Sequence, residues 1–317
     1  MSLNAAQDIP QAVTAYLGYD VETVWRLCRL APHTYRRYCI KKASGGYRAI
    51  YHPSKETKAI QYALTNLVLN ELPVHMSAQG YVRLRSILSN VRVHSHFAYS
   101  VRVDLSNFFP SIRPEDVLQV VERRMGKLSP QAAQFITDAL FVEYRSGCKG
   151  LAVGAPSSPA ASNAVMFGID SALTAFAIAR NGCYTRYADD LVFSTDSKGE
   201  SARFVEEVDR VLSTTLCPRL HINRRKTSYS SRATRRVITG LVVTPDSAVS
   251  VGRRNKRFVR KLLFDLSENR LDSDSSGYLQ GYLGFLKGVE PDVLNKFALR
   301  YGAGLLDRAR GGVVKPR

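Results

Sequence analysis

Apolar residues recur at helical spacing through residues 9–40, 55–72, 131–142 and 160–180. They alternate with polar ones over 98–105, AYSVRVDL, a Val-rich strand pattern that ends beside a carboxylate. Ser129-Pro130 and Ser158-Pro159 each open one of these helices, the serine as N-cap and the proline in the first turn, and Gly182 is placed to close the last. Residues 41–52, KKASGGYRAIYH, have a hairpin pattern turning at Ser44-Gly45-Gly46. CYTRYADDLVFS sets two short apolar-aromatic arms around Ala188-Asp189, a second hairpin with acids at its tip. A helix is expected around 200–215, strands around 219–223 and 236–243, and mostly helix from 252 onward. The order strand, helices, hairpin, helix, strand predicts an α+β fold whose antiparallel sheet is backed by helices.

Composition narrows the function classes. With 317 residues, 45% hydrophobic and 23% charged, the chain has the makings of a folded protein with a sizeable core. No apolar run approaches the roughly 18 residues that span a bilayer. The first twenty residues hold no Lys or Arg, so no secretory signal is expected. The five cysteines (Cys28, Cys39, Cys148, Cys183, Cys217) are odd in number and far apart, without a CxxC pair. That argues against a disulfide framework and a zinc ribbon, and a reduced, cytoplasmic setting is expected. The net charge of +18 points to a polyanionic partner. Residues 219–261 hold thirteen Lys and Arg against one acid, Asp246, and so carry twelve of those charges. The segment alternates apolar runs (VITGLVV, AVSV) with basic ones and does not read as one amphipathic helix. A phosphate backbone therefore suits it better than a membrane.

Three acids stand out: Asp104 at the strand end and the pair Asp189-Asp190 at the hairpin tip. Adjacent carboxylates repel, and the sequence shows no neighbouring cation for them, so a pair held between strand arms calls for a neutralising charge. Mg²⁺ suits oxygen ligands shared with substrate phosphates. Three carboxylates can hold two ions roughly 3.5–4 Å apart, the clamp for in-line displacement at phosphorus. A solvated Asp-Asp turn is the alternative these residues leave open.

In their common order, several segments resemble the motifs of reverse transcriptases. VRVDLSNFFPSI (101–112) is similar to the first carboxylate motif and GAPSSP (154–159) to the motif opening the template-supporting helix. YADD (187–190) is similar to the catalytic hairpin, HINRRKT (221–227) to the Lys motif, and TGLVV (239–243) to the strand after it. GYRAIYHPS (46–54) resembles the fingers hairpin and RSILSNVRVH (85–94) the segment that follows. Within the superfamily the chain most resembles the retron reverse transcriptases of bacteria. Asn90-Val91-Arg92-Val93-His94 stands where they carry Asn-Ala-x-x-His, and Ile238-Thr239-Gly240 where they carry Val-Thr-Gly. The resemblance implies a right-hand polymerase fold: an N-terminal helical extension (1–40), fingers (41–100 with part of 113–155), a palm (101–245) and a helical thumb (246–317).

The same resemblance implies roles. Asp104, Asp189 and Asp190 would hold two Mg²⁺ ions, joined by the backbone of Leu105. Asn107, Phe108 and Phe109 would face the nucleotide, Phe109 as a gate against a 2′-OH, with one of the two rings in the core. Gly154, Ala155 and Pro156 would floor the base and ribose; Val153 stands where many relatives have Gln. Lys226 would protonate or bind the leaving pyrophosphate, and Arg48 would grip the triphosphate with Lys41 or Lys42. Tyr187 would pack near the primer end, and Arg186 beside it would lie at the surface or on the template. Asn90, His94, Thr239, Gly240, Arg253, Arg254, Lys256, Arg257 and Arg260 would meet primer or template, with a structural role for His94 an equal alternative. The implied activity is RNA-directed DNA synthesis from deoxynucleotides on a cognate structured non-coding RNA that is both template and primer. It would start at a guanosine 2′-OH and give branched RNA–DNA (msDNA) in an antiphage system with a separate effector protein and no membrane. Rival readings are a group II intron-like or diversity-generating reverse transcriptase and a non-catalytic RNA-binding protein on a polymerase palm.

Overall fold

The computed structural model describes residues 8–42, 45–144, 147–215 and 218–311; Ser44 of the expected hairpin turn and Cys217 lie outside them. The chain divides into two compact units, Met1–Arg85 with Val101–Ser228, and Ser86–Ser100 with Tyr229–Arg317.

The first unit starts with α1 (Ile9–Leu17) and α2 (Val21–Leu30), the latter capped by the Asp20 carboxylate accepting from Thr23 N. The helical pattern expected through residue 40 stops sooner, at a 3₁₀ turn containing Pro32. Residues 36–40 are instead in β1 (Arg36–Lys41), paired antiparallel with β2 (Tyr47–His52). Every residue of β1 is exposed, so no burial period marked it as a strand. Next come α3 (Lys55–Leu67), capped by Ser54, and α4 (Ile87–Arg92), which belongs to the second unit. Strand β3 (Tyr99–Asp104) then leads through the turn α5 (Phe108–Ser111) into α6 (Pro114–Met125) and α7 (Pro130–Leu140). Ser129 caps α7 as expected, its hydroxyl accepting from Ala132 N. That helix ends two residues early, because Phe141–Glu143 (β4) pairs with Lys149–Leu151 (β5).

Helices α8 (Ser158–Val165) and α9 (Phe167–Ile178) replace the single helix expected there and meet at a bend of 52°. Ser158 is not the cap: its hydroxyl donates to the Ala152 carbonyl, and Ser157 holds the N-cap place without a side-chain bond. Nor does Gly182 take the left-handed turn, which falls on Asn181 (φ 49°). Glycine is needed at 182 for room, since a Cβ would lie 2.5 Å from the Phe193 ring. Hairpin strands β6 (Cys183–Tyr187) and β7 (Asp190–Thr195) precede α10 (Glu200–Thr214) and β8 (Ser228–Ser231). The main sheet runs β6-β7-β3-β8. Residues 219–223 form no strand, only a bridge between Ile222 and Leu105. Against this sheet, α3, α6, α7, α9 and α10 bury an apolar core that includes Leu64, Val103, Phe135, Phe193 and Phe204. No single described helix is long and apolar enough to cross a membrane.

Among the described residues, the second unit holds α4, the three-stranded sheet β11-β10-β9 and four further helices. The strand expected over 236–243 is a hairpin, β9 (Arg236–Ile238) and β10 (Leu241–Val243), turning at Thr239 and Gly240, both at positive φ; β11 is Val249–Ser250. Helices α11 (Arg253–Ser267), α12 (Ser273–Val289), α13 (Pro291–Tyr301) and α14 (Ala303–Ala309) pack together through residues such as Leu263, Leu283 and Leu294. Arg236 is fully buried here, its guanidinium donating to the carbonyls of Phe97 and Thr244.

Candidate active site

The hairpin β6–β7 closes in two residues, Ala188 in the left-handed region (φ 57°) and Asp189, after the final pair Tyr187–Asp190. Leu105 N donates to Asp189 O (3.0 Å), and Asn223 N to Asp104 O (2.7 Å). The end of β3, the hairpin tip and the 221–226 loop are thus joined through backbone. Asp104 and Asp189 line a cavity of about 610 Å³ together with Arg48, Lys226, Leu105, Asn107, Phe108 and Phe109. Burial raises the Asp189 pKa, with the Asp104 charge adding to it, while Arg48 and Lys226 oppose the rise. Asp190 goes up to about 6, chiefly by burial and then by the charges of Asp189 and Asp104, against the pull of Arg102. The three carboxylates therefore feel one another.

Two cations that the sequence did not disclose reach this group. Lys226 Nζ stands 2.9 and 3.0 Å from the two Asp104 oxygens, and Arg102 Nε lies 3.9 Å from Asp190. The expectation that the acids lack nearby cations is thus corrected: Arg102 sits two residues before Asp104 on β3 and meets Asp190 across the sheet. Among the described residues, no cluster of three or more His, Cys, Asp or Glu forms a ready-made metal cage. The donors still fit a hard divalent cation. The three side chains offer carboxylate oxygens, whose mutual repulsion is relieved by positive charge, and a backbone carbonyl such as that of Leu105 is likewise a hard oxygen donor. Such an ion commonly takes only one or two carboxylates and completes its shell with substrate phosphates.

Of the residues expected to face the nucleotide, Arg48, Asn107, Phe108 and Phe109 line this cavity. Phe108 is in the core and Phe109 is half-buried on the cavity, but the helical turn of α5, not strand alternation, separates them. Asn107 opens that turn at φ 47°. Gly154, Ala155 and Pro156 are not among the cavity-lining residues, whereas Val153 is. Gly154 (φ 116°) makes its close approach to strand β2: a Cβ would lie 2.9 Å from Ile50 Cγ2 and 3.1 Å from Tyr51 O. Ala155 is buried with Tyr51, Val142 and Ala152.

Several expected surface contacts are interior. Arg186 is completely buried, not a surface or template residue. Its Nε donates to both Asp170 oxygens (2.9 and 3.1 Å), Nη2 to Asp170 Oδ2 (2.7 Å), and Nη1 to Asn163 Oδ1 (3.0 Å) and the Ala188 carbonyl (3.3 Å). Burial opposes its charge, but the Asp170 carboxylate prevails and raises its pKa further. Asp170, in an otherwise apolar helix, was the sequence signal for this pair. Asn90 and His94 are also fully buried and present no surface to primer or template, and for His94 this fits the structural role that was the alternative; Asn90 Nδ2 approaches Thr239 Oγ1 at 3.5 Å. Burial pushes His94 down to about 3, so the ring is neutral. Thr239 is half-buried, while Gly240, Arg253, Arg254, Arg257 and Arg260 are exposed. Lys256 is half-buried and ion-paired with Glu290. Tyr187 is half-buried at the hairpin end.

Residues 40–257 match the family of reverse transcriptases (RNA-dependent DNA polymerases). The retron Ec83 reverse transcriptase of Escherichia coli is 33% identical over 292 residues, covering 91% of this chain and 92% of that one. The retron Ec73 reverse transcriptase of the same species is also 33% identical, over 86% and 88%. Telomerase from Candida albicans, solved with a fragment of telomeric RNA, superposes with a TM-score of 0.47 at 11% identity, over 87% of this chain and 61% of that one. The paired carboxylates on their hairpin thus lie within the matched region, and the chain belongs to the retron reverse transcriptases, RNA-directed DNA polymerases that copy nucleic acid templates.

Proposed function

We propose that this polymerase copies part of a structured non-coding RNA of its own, beginning at the 2′-OH of a guanosine, and so produces branched RNA–DNA in a cytoplasmic antiphage system with a separate effector. The observation that carries the catalytic part is one cavity bearing Asp104 and Asp189 with Lys226, Arg48 and Phe109. In this reading Asp104, Asp189, Asp190 and the backbone of Leu105 would hold two Mg²⁺ ions. When bound, Mg²⁺ supplies the positive charge that in-line displacement at phosphorus requires. Lys226 leaves its Asp104 contact to bind or protonate the departing pyrophosphate. Arg48, on β2, neutralises the triphosphate. The Phe109 ring excludes a 2′-OH. Tyr187 supports the primer end, and the exposed arginines of α11 hold duplex phosphates without reading sequence.

Two measurements test this. In Asp189→Asn/Asp190→Asn, DNA synthesis should vanish while RNA binding survives; persistent synthesis would overturn the metal assignment. The nucleic acid bound to the enzyme in its host should contain one discrete DNA joined to RNA by an alkali-resistant branch. Heterogeneous or linear DNA would refute the priming reading.

A further inference from the structure

The segment 75–85 of the first unit carries two bulky residues in the left-handed region, Tyr81 at φ 62° and Leu84 at φ 64°. Larger side chains seldom hold such backbone, and where they do the surroundings must impose it. Here Gln79 N donates to Arg186 O at 2.6 Å, and Asn163 Nδ2 donates to the Gly80 carbonyl at 3.1 Å. Arg85 reaches back to the carbonyls of Met76 (2.8 Å) and Ala78. Gly80 lies so near the catalytic turn that a Cβ would stand 2.8 Å from Ala188 N. The segment is therefore fastened to the turn that carries Asp189, and Tyr81 inherits that placement.

Tyr81 does not fill the core with its ring. The residue is 54% exposed and lines the same cavity as Asp104 and Asp189, with its ring centroid 6.4 Å from that of Phe109. Lys42, Arg48 and Lys226 line that cavity as well and bring positive charge to it. An aromatic face kept open beside such charge matches a nucleotide, because every base offers a π-face for stacking.

We propose that Tyr81 contacts the incoming deoxynucleoside triphosphate, its ring forming with Phe109 an aromatic wall against which base and sugar rest. This rests on the reading of the Asp104–Asp189 cavity as the polymerising site. Only the ring is required, so Tyr81→Phe should stay within twofold of the parent in KM for deoxynucleotides. Tyr81→Asn keeps a residue that tolerates left-handed backbone and removes the ring. Its KM for deoxynucleotides should rise about tenfold, the scale of one lost stacking contact. Its kcat should change less than threefold, and its affinity for primed RNA should not change. Tyr81→Gly, which relaxes the backbone, should show the same KM with a melting temperature no lower than the parent's. Steady-state synthesis on a primed RNA template by the full-length enzyme reads all of these, with Asp189→Asn as the control. Activity in Asp189→Asn would remove the cavity reading itself. An inactive Asp189→Asn beside an unchanged KM in Tyr81→Asn and Tyr81→Gly would overturn the Tyr81 contact alone. A KM in Tyr81→Phe as high as in Tyr81→Asn, or a loss confined to RNA affinity, would overturn it as well.

Discussion

The interior ion pair between Arg186, on the β6–β7 hairpin, and Asp170, on α9, makes the sharpest energetic prediction. Arg186 and Asp170 are both wholly inaccessible to solvent, and the guanidinium makes three bonds to the carboxylate at 2.7–3.1 Å. Replacing Arg186 with Met leaves the carboxylate with one strong donor, the Tyr184 hydroxyl at 2.8 Å. Removing one member of a buried pair typically costs about 3–5 kcal/mol, because the other charge is left without compensation. Two further acceptors, Asn163 Oδ1 and the Ala188 carbonyl, lose a donor at about 1 kcal/mol each. Replacing Asp170 by Leu in the same chain removes the stranded charge, so the double variant should recover about 3 kcal/mol relative to Arg186→Met. It should still polymerise more slowly than the parent, since the Ala188 carbonyl at the turn stays unheld. Trp25 is the sole tryptophan and packs edge-on against Phe135 in the core of the first unit. Its fluorescence in a urea titration therefore reports the unit that contains the pair. A loss of less than about 1 kcal/mol in Arg186→Met, or a double variant no more stable than the single, would refute the stranded Asp170 charge as the source of the cost.

Three further outcomes follow from the same geometry. Phe109→Val should lower the preference for deoxynucleotides over ribonucleotides at least tenfold, measured as a ratio of kcat/KM; an unchanged ratio would exclude the ring as the gate. His94 is held near pKa 3 by burial, against 6.5 when unfolded, so the unfolded chain binds the extra proton between these values. Its contribution is therefore complete above about pH 6.5 and is lost as pH falls toward 3. Between pH 7 and 5 it removes about 2 kcal/mol, a difference that His94→Gln should abolish in urea titrations at the two pH values. Finally, Arg253, Arg254, Arg257 and Arg260 changed together to Gln should flatten the plot of log RNA affinity against log salt by about 0.7–0.9 per lost phosphate contact. Lys256→Gln, which strands Glu290 instead, should lower the melting temperature and leave the slope nearly unchanged.

What the sequence by itself determined is local. A Val-rich strand ending at Asp104, a two-residue link at Ala188-Asp189 between β-forming arms, and the serine cap of α7 all depend on neighbours within four residues. The structure has each of them. The order of the elements indicated an α+β layout, and the resemblance of the residue motifs, in their common order, implied the family and its polymerase fold. Tertiary structure decided the electrostatics and the fits. Lys226 meets Asp104 from 122 residues away, and Arg102 meets Asp190 only because β3 and β7 are adjacent in the sheet. Arg186 looked like a surface residue beside a tyrosine until the fold set Asp170 against it. Gly154 had the look of a ligand floor until β2 came to lie on it. The exposed strand β1 and the short strand β8 had no periodicity to announce them and exist through their pairing partners. A periodic pattern records which face of an element is buried. It carries no record of which distant charge or backbone will lie against that face, and here such long-range meetings set Lys226 against Asp104 and Arg102 against Asp190.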